Sequence, residues 1–224
     1  MRIRQRPIYV EIEIQAPMDK LWQHTQQPEL HEQWDMRFSE IRYLPQEEDG
    51  LQRFTYRTRI GFGLQIAGTG VTRASYNEQS GAKVSTLAFG SQQRLSLINS
   101  GHGYWKYIPH EAGITFLTRY QYQTRFGRLG RWFDAFLFRP MFGYATAWSF
   151  DVLRLWLEKQ IPPACSIRQA IIHYTSVALL CVLWLFEGAS LSIIAFCFLA
   201  AVTSKNLPQA SRCKRQPGQR SEAA

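Results

Sequence analysis

The stretch Tyr9–Asp35, YVEIEIQAPMDKLWQHTQQPELHEQWD, decides the fold. Every second residue from Ile8 to Ile14 is isoleucine or valine, and tyrosine or glutamate lies between them. A period of two predicts a strand with one buried face. Ala16-Pro17 then ends the strand, because proline donates no ladder hydrogen bond and suits the first turn of a helix.

Two short helices are predicted after this strand. Apolar side chains recur at helical spacing from Met18 to Thr25, which indicates one amphipathic helix. Pro28 breaks that helix and opens a second one, which is expected to end near Trp34-Asp35. The stretch therefore predicts a strand followed by two helices.

This order of signals resembles the opening of the START-like (SRPBCC) superfamily, which includes polyketide cyclase/dehydrase and lipid-transport proteins. The resemblance rests on Ala16, Pro17, Trp22, Pro28, Trp34 and Asp35. The segment FRPMFGYATAWSFDVLRLWLE, residues 138–158, is similar to the C-terminal helix of the same superfamily. The resemblance spans residues 8 to 160 and implies an α+β helix-grip fold, in which a curved antiparallel sheet surrounds a long C-terminal helix.

The rest of the domain is consistent with that implication. Residues 38–125 contain six further strand patterns joined mostly by short turns, which predicts an antiparallel sheet of about seven strands. The period becomes helical after Gly127, and Ala145–Gln160 is predicted to be the long helix that closes the sheet. Pro140 is expected to kink or break the helical run before it.

The composition restricts the classes of function. The 224-residue chain carries a formal net charge of +9, with 46% hydrophobic and 14% aromatic residues. A basic chain suits either nucleic acid or an anionic membrane surface. The cysteines show no C-x-x-C pair and no zinc-site spacing, and the glycine pairs do not sit in a phosphate-loop context. We predict no cofactor, no metal and no catalytic residue, since no acid–base pair stands out.

A long apolar segment follows the domain. Residues 171–202 are apolar for about 30 positions, beyond the roughly 18 that indicate a membrane helix. We therefore predict a START-like ligand-binding domain at 1–162, a membrane segment at 167–203 and a basic, disordered tail at 204–224. The N-terminus shows no signal peptide, so the domain is expected on the cytoplasmic side of the cytoplasmic membrane.

The membrane segment is predicted to form a transmembrane helical hairpin. Glu187–Ser190 interrupts the apolar run with a charge and a glycine, which divides it into Ile171–Phe186 and Leu191–Val202. Arg168 and Lys205 flank the segment, and basic residues are retained on the cytoplasmic side, so an even number of crossings is favoured. A single tilted span and a shallow interfacial pair are the alternatives.

Seven aromatic residues are the candidate ligand-binding set. They are Trp105, Tyr107, Phe116, Tyr120, Tyr122, Tyr144 and Trp148. Strand parity and helical spacing let them converge between sheet and helix, where core packing is the simpler interpretation. The family resemblance implies instead that some of them line a pocket for an apolar ligand, with tyrosine hydroxyls as polar contacts.

The segment RFGRLGRWFDAFLFRP, residues 125–140, mixes arginine with aromatic residues. This mixture suits nucleic acid, lipid head groups beside a membrane segment, or a lid over a cavity. The membrane segment nearby favours lipid, and no nucleic-acid partner is expected.

The leading hypothesis is membrane-tethered binding of a hydrophobic small molecule or lipid in a cavity between sheet and C-terminal helix. The alternatives are a polyketide cyclase/dehydrase-like enzyme that uses the same cavity, and a non-catalytic membrane scaffold. An enzyme is the less favoured of these, because the sequence offers no catalytic pair.

Overall fold

Seven antiparallel strands form one sheet in the computed structural model of the chain, which describes residues 6–46, 50–61, 63–187 and 206–217. The strands are β1 Ile8–Ile14, β2 Glu40–Tyr43, β3 Gln52–Gly61, β4 Leu64–Tyr76, β5 Lys83–Gly90, β6 Ile98–His110 and β7 Gly113–Thr124. Their spatial order is β1-β7-β6-β5-β4-β3-β2. Consecutive strands from β2 to β7 are neighbours, while β1 pairs with β7, which confirms the predicted seven-stranded antiparallel sheet.

Helices pack on one face of this sheet. They are α1 Met18–Gln26, α2 Pro28–Trp34, α3 Gly127–Phe133, a π-helix Asp134–Phe138, α4 Arg139–Lys159 and α5 Pro163–Glu187. The apolar side chains of β1 point at α4, where Phe150 stacks on Phe116 of β7 at 4.4 Å between ring centroids. The α+β arrangement of a sheet holding a long helix matches the predicted helix-grip fold.

The long helix begins earlier than its sequence indicated. It starts at Arg139 rather than Ala145, and the backbone remains helical from the π-helix into α4. Pro140 lies in the first turn of α4 and donates no backbone hydrogen bond to the preceding turn, which is the π-helix. The helical run is therefore not broken at this proline, and a wider π-helical turn precedes it.

Part of the predicted disordered tail is folded against the domain. Residues 206–217 return to β1, where the backbone groups of Glu11 and Lys214 exchange two hydrogen bonds of 2.9 Å. Leu207, Ala210 and Cys213 are buried in the main core. The basic composition of the tail did not predict this packing. The anchor consists of three apolar residues, spaced three apart in the sequence.

Acidic groups of the domain complete the docking of this tail. The buried carboxylate of Asp151 accepts a hydrogen bond from the backbone N–H of Gln209 at 2.7 Å. Lys214 Nζ donates to Glu11 Oε1 at 2.8 Å. The outer edge of β1 is thus covered at Glu11 by a segment of the same chain.

Helix α5 is apolar enough to cross a membrane, judged by length and composition. Its Pro163–Val182 part has a mean hydropathy of 1.3, and 11% of its most apolar window is buried in the domain. Ser166 and Ala170, in its first turns, pack into the domain. The second leg of the expected hairpin, Leu191–Val202, lies outside the described residues, so the hairpin stays a prediction.

Candidate functional site

The structure brings five of the seven predicted aromatic residues together on the helix-facing side of the sheet. Three of them form closed packing rather than a pocket wall. Phe116 is fully buried between Tyr107, at 5.0 Å, and Phe150. Trp105 meets Phe116 edge-on at 5.8 Å. The Tyr107 hydroxyl bonds Thr25 at 2.7 Å, so this group has the contacts of a satisfied core.

The other two members of the five lie nearer the π-helix. Tyr120 and Tyr122 both contact Phe142, at 6.0 and 6.3 Å between ring centroids. The Tyr120 hydroxyl bonds Thr146 at 2.8 Å, and the Tyr122 hydroxyl donates to Asp134 at 2.6 Å. Both tyrosines are buried, and their polar ends point toward charged neighbours.

Tyr144 does not converge with the rest, whereas Trp148 belongs to the same buried core. Both lie on the stripe of α4 that contains Asp151, the residue that binds the tail, whereas Phe150 on the opposite stripe meets the sheet. Trp148 is buried there, and Tyr144 is 49% exposed. Helical spacing places Tyr144 and Trp148 on one stripe of α4. The residue that stacks on the sheet, Phe150, lies on a different stripe.

Beside Tyr120, a layer of aromatic rings lies across glycines of neighbouring strands. Phe54 and Tyr56 of β3 stand directly opposite Gly70 and Gly68 of β4, and Phe89 of β5 stands opposite Gly101 of β6. A Cβ atom built on any of these glycines would meet the facing ring at 2.3–2.5 Å. We call Phe54, Tyr56 and Phe89 the aromatic floor, since each ring rests where a glycine has no side chain.

The floor joins two apolar clusters. Phe54 and Tyr56 belong to a small cluster with Ile41 and Phe38, whereas Phe89 packs against both this cluster and the main core. Phe89 reaches Tyr120 at 6.5 Å between ring centroids, and it is only partly buried. The region between the clusters therefore contains three aromatic rings, of which Phe54 and Tyr56 are buried and Phe89 is partly buried.

A charged group sits at the junction of the two clusters. Arg37 makes a bidentate pair with Asp35, through Nε to Oδ1 at 2.8 Å and Nη2 to Oδ2 at 2.5 Å. Its guanidinium carbon lies 5.7 Å from the ring centroids of both Tyr120 and Phe142. His31 Nε2 lies 3.1 Å from Asp35 Oδ2, so Asp35 links a cation and an imidazole.

Burial and pairing oppose each other in this cluster. Burial alone raises the pKa of Asp35, but the adjacent Arg37 guanidinium outweighs it and holds the pKa well below the usual range. Burial likewise raises the pKa of Tyr120, and Arg37 reduces that rise. At neutral pH the cluster is therefore an ion pair beside a neutral phenol.

A second buried charge cluster lies where the π-helix meets the sheet. Asp134 is fully buried, accepts a hydrogen bond from Tyr122 and pairs with Arg139 Nε at 2.8 Å. The Arg139 guanidinium carbon lies over the Tyr122 ring at 4.3 Å. This cluster fixes the start of α4 against β7.

Sequence reasoning missed Arg37 and the aromatic floor, although weak signals for both exist. Asp35 and Arg37 follow a helix end that Trp34 buries, so their charges must be paired. Aromatic residues alternate in β3 and glycines alternate in β4, which is the pattern of rings resting on a bare strand. Neither signal identifies which glycine meets which ring before the strand register is known.

Other features of the described residues are separate from this region. A shallow, solvent-open depression of about 540 Å³ is lined by Met18, Asp19, Tyr76, Gly81, Lys83 and Pro109. It includes none of the seven predicted residues and none of the floor. Among the residues that the structure describes, no three His, Cys, Asp or Glu side chains gather as a metal site would require.

The chain is similar in sequence to a bacterial membrane protein. It is 52% identical over 187 residues to "Uncharacterized membrane protein YndG" of Bacillus subtilis (strain 168), a match that covers 83% of this chain and 70% of the relative. No protein-family profile matches the chain.

Similar solved structures have low sequence identity. One is the Zhui aromatase/cyclase from Streptomyces sp. R1128, with a TM-score of 0.47, 12% identity, and coverage of 68% of this chain and 96% of that one. Another is a STAR-related lipid transfer protein from Xanthomonas axonopodis, with a TM-score of 0.48, 14% identity, and coverage of 66% and 82%.

Proposed function

Because this chain belongs to the family of the Bacillus subtilis membrane protein YndG, we propose that it is a membrane-tethered domain that binds a hydrophobic small molecule or lipid between its sheet and α4. The observation that carries the proposal is the aromatic floor, with each ring laid across a glycine of the next strand. Rings that lie flat against a sheet form a thinner layer on it than rings that stand upright. Apolar surface of this kind suits an apolar ligand.

The Arg37 cluster gives the proposed site its polar contact. Arg37 is 8% exposed and lies between Tyr120, Phe142 and Phe38. Its charge is matched by Asp35, so a neutral polar group suits the site better than a second carboxylate. We therefore propose a ligand that is mostly apolar and carries one uncharged polar end.

The proposed site differs from the predicted set of seven. Tyr120 borders the floor and remains a candidate contact, with Tyr122 as its neighbour on β7. Trp105, Tyr107, Phe116 and Trp148 support the fold from the closed core, and Tyr144 is half exposed on α4. The floor residues Phe54, Tyr56 and Phe89 take the place of these five.

Truncating Phe89 to alanine is expected to weaken binding of the ligand. Native mass spectrometry of the full chain, released from detergent, should detect one co-purifying apolar compound on the wild type. The loss of one aromatic contact is expected to lower occupancy about tenfold. Phe89 is partly exposed, so its cost to folding should be smaller than that of a fully buried ring.

The matched control is Phe116→Ala in the closed core. This variant is expected to lose about 3–5 kcal/mol of stability and yet retain the compound below its melting temperature. Retention by Phe89→Ala together with loss by Phe116→Ala would place the ligand elsewhere. If no chain carries or takes up an apolar compound, the interior is simply packed.

A cyclase/dehydrase-like enzyme is the second candidate, favoured by the His31–Asp35 pair. An imidazole oriented by a carboxylate is a common general base. Asp35 is, however, also held by Arg37 in a bidentate pair, which is sufficient to explain its position. The same mass measurement separates the two functions: an enzyme would leave different compounds on wild type and His31→Gln, and a binding protein would leave the same one.

The tethering is proposed to be a helical hairpin with both flanks on the cytoplasmic side. Residues 206–217 dock on β1 and α4, so the chain returns to the domain after α5. If α5 enters the bilayer, such a return supports an even number of crossings. A single span would put this segment and its docking site on opposite sides.

Fusions of alkaline phosphatase, which is active only outside the cytoplasm, test this topology. A fusion after Ala224 is expected to be inactive in intact cells, while a fusion truncated after Glu187 should be active because α5 alone exports it. Fluorescent-protein fusions at the same two points should give the opposite pattern. An active phosphatase after Ala224 would establish a single span, and two inactive fusions would mean that α5 does not cross.

A further inference from the structure

The helical segment before α4, which consists of α3 and the π-helix, has large apolar side chains on the face that points away from the core. Leu129, Trp132, Phe133 and Phe136 recur at i, i+3, i+4 and i+7, the spacing that marks the buried face of an amphipathic helix. In the structure these four side chains are 72%, 55%, 41% and 69% exposed. We call them the outward stripe.

The inward face of the same segment is occupied by other residues. Gly130 is buried so close to Arg125 that an added Cβ would lie 1.8 Å from its carbonyl oxygen. Asp134 is buried and bonded to Tyr122 and Arg139. These two contacts fix the rotation of the helix, so the outward stripe cannot turn toward the core without breaking them.

Charge lies next to the outward stripe. Arg128 and Arg131 are both exposed, and they occupy the flank between the stripe and the buried face. Apolar side chains beside arginines form the pattern of a helix that lies in a membrane interface and contacts anionic head groups. Trp132 adds a side chain that favours such interfaces.

The stripe also lies at the end of the domain toward which α5 runs. Only three residues separate Lys159, the end of α4, from Pro163, the start of α5, and the two helices contact each other. Helices joined by so short a connection form a helical hairpin, so α5 runs antiparallel to α4. The apolar exposed part of α5 thus runs back toward the start of α4, where the π-helix ends.

We infer that the outward stripe lies in the same bilayer that α5 enters, with Arg128 and Arg131 at anionic head groups. The inference rests on the proposed tether and adds a second membrane contact, which sets the orientation of the domain. A second copy of the chain fits less well. A symmetric interface on this stripe would bring two pairs of arginines together.

Photo-crosslinking in the full chain tests the inference. Benzoylphenylalanine is introduced at Leu129 or Phe136 on the stripe, and at Gln121 on the exposed outer face of the sheet as control. The chain is reconstituted into phosphatidylcholine vesicles with or without phosphatidylglycerol, and adducts are identified by mass. Lipid adducts are expected at both stripe positions and not at Gln121.

The arginines provide a second measurement. Phosphatidylglycerol is expected to raise the yield of lipid adduct at Leu129, and Arg128→Gln should reduce that gain about fivefold. Arg131→Gln should act similarly, whereas Arg119→Gln on the outer sheet face should leave the yield unchanged. A gain that persists in the Arg128→Gln/Arg131→Gln chain would overturn the assigned head-group contact.

The outcomes separate this inference from the tether. A chain that resists carbonate extraction but gives no lipid adduct, or gives a dimer or an adduct with another protein, overturns the stripe and leaves the tether intact. A chain that is extracted but still gives lipid adducts supports the stripe and removes the tether. Extraction without lipid adducts overturns both.

Discussion

Replacing Asp35 by alanine is expected to lower the free energy of unfolding by about 3–5 kcal/mol, because it leaves the Arg37 cation buried without a partner. Asp35 is fully buried and accepts hydrogen bonds from Arg37 through both carboxylate oxygens. Urea unfolding of the full chain in detergent, followed by tryptophan fluorescence, measures the loss. Asp19→Ala is the control, since the Asp19 side chain is 96% exposed in its pair with Lys83 and should contribute under 1 kcal/mol.

The same pair predicts a dependence on pH. The pKa of Asp35 is held below its value of about 3.9 in the unfolded chain, chiefly by Arg37 acting against burial. Its contribution is therefore complete above that value and is lost as the pH falls through it toward the folded pKa. The difference in stability between wild type and Asp35→Ala should begin to shrink below about pH 4 and continue to shrink as the pH falls further. A constant difference from pH 7 to pH 3 would show that the carboxylate charge is not responsible.

Removing both charges should cost less than removing one. Asp35→Leu/Arg37→Leu is expected to recover most of the stability lost in Asp35→Ala, because apolar residues often replace a buried ion pair at little cost. Loss of ligand in this double variant, with stability retained, would assign Arg37 to binding rather than to folding.

Asp134→Ala is expected to cost about 3 kcal/mol and to disturb the start of α4. The change strips Arg139, whose side chain is 13% exposed, of its carboxylate and removes the acceptor of the Tyr122 hydroxyl. Tyr122→Phe removes one hydrogen bond to a charged group and should cost about 1.5–2 kcal/mol. Unfolding of the two variants under the same conditions measures both values. A larger loss in Tyr122→Phe than in Asp134→Ala would contradict the ion pair as the main contribution.

The sheet could be predicted because its signal is local. Strand patterns over a few residues each located six strands within residues 38–125, and the short turns between them required antiparallel order. The helical period located α4 within six residues at its start, from Ala145 to Arg139. Pro140 was expected to kink or break the helix; the structure has a π-helical turn before it and no break in the helical run.

The candidate site depends on pairings that no local pattern contains. Phe89 meets Gly101 and Tyr120 meets Gly103 only once the register of β5, β6 and β7 is set. Phe150 of α4 stacks on Phe116 of the sheet, so the stripe of α4 that contains Phe150 faces the sheet. Tyr144 lies on another stripe and is exposed. Arg37 was missed because a single arginine that follows a helix is typical of a surface position.

The docked segment after α5 has a consequence for how the chain is made. Lys214 follows Glu11 by 203 residues, so at about 5–20 residues per second it leaves the ribosome about 10–40 s later. Until then β1 has an open edge at Glu11, and Asp151 lacks its bond to Gln209. The domain is therefore completed only after its apolar segment has been synthesised. If that segment enters the bilayer as proposed, an insertion error would leave the sheet without its last contact and expose it to quality-control proteases.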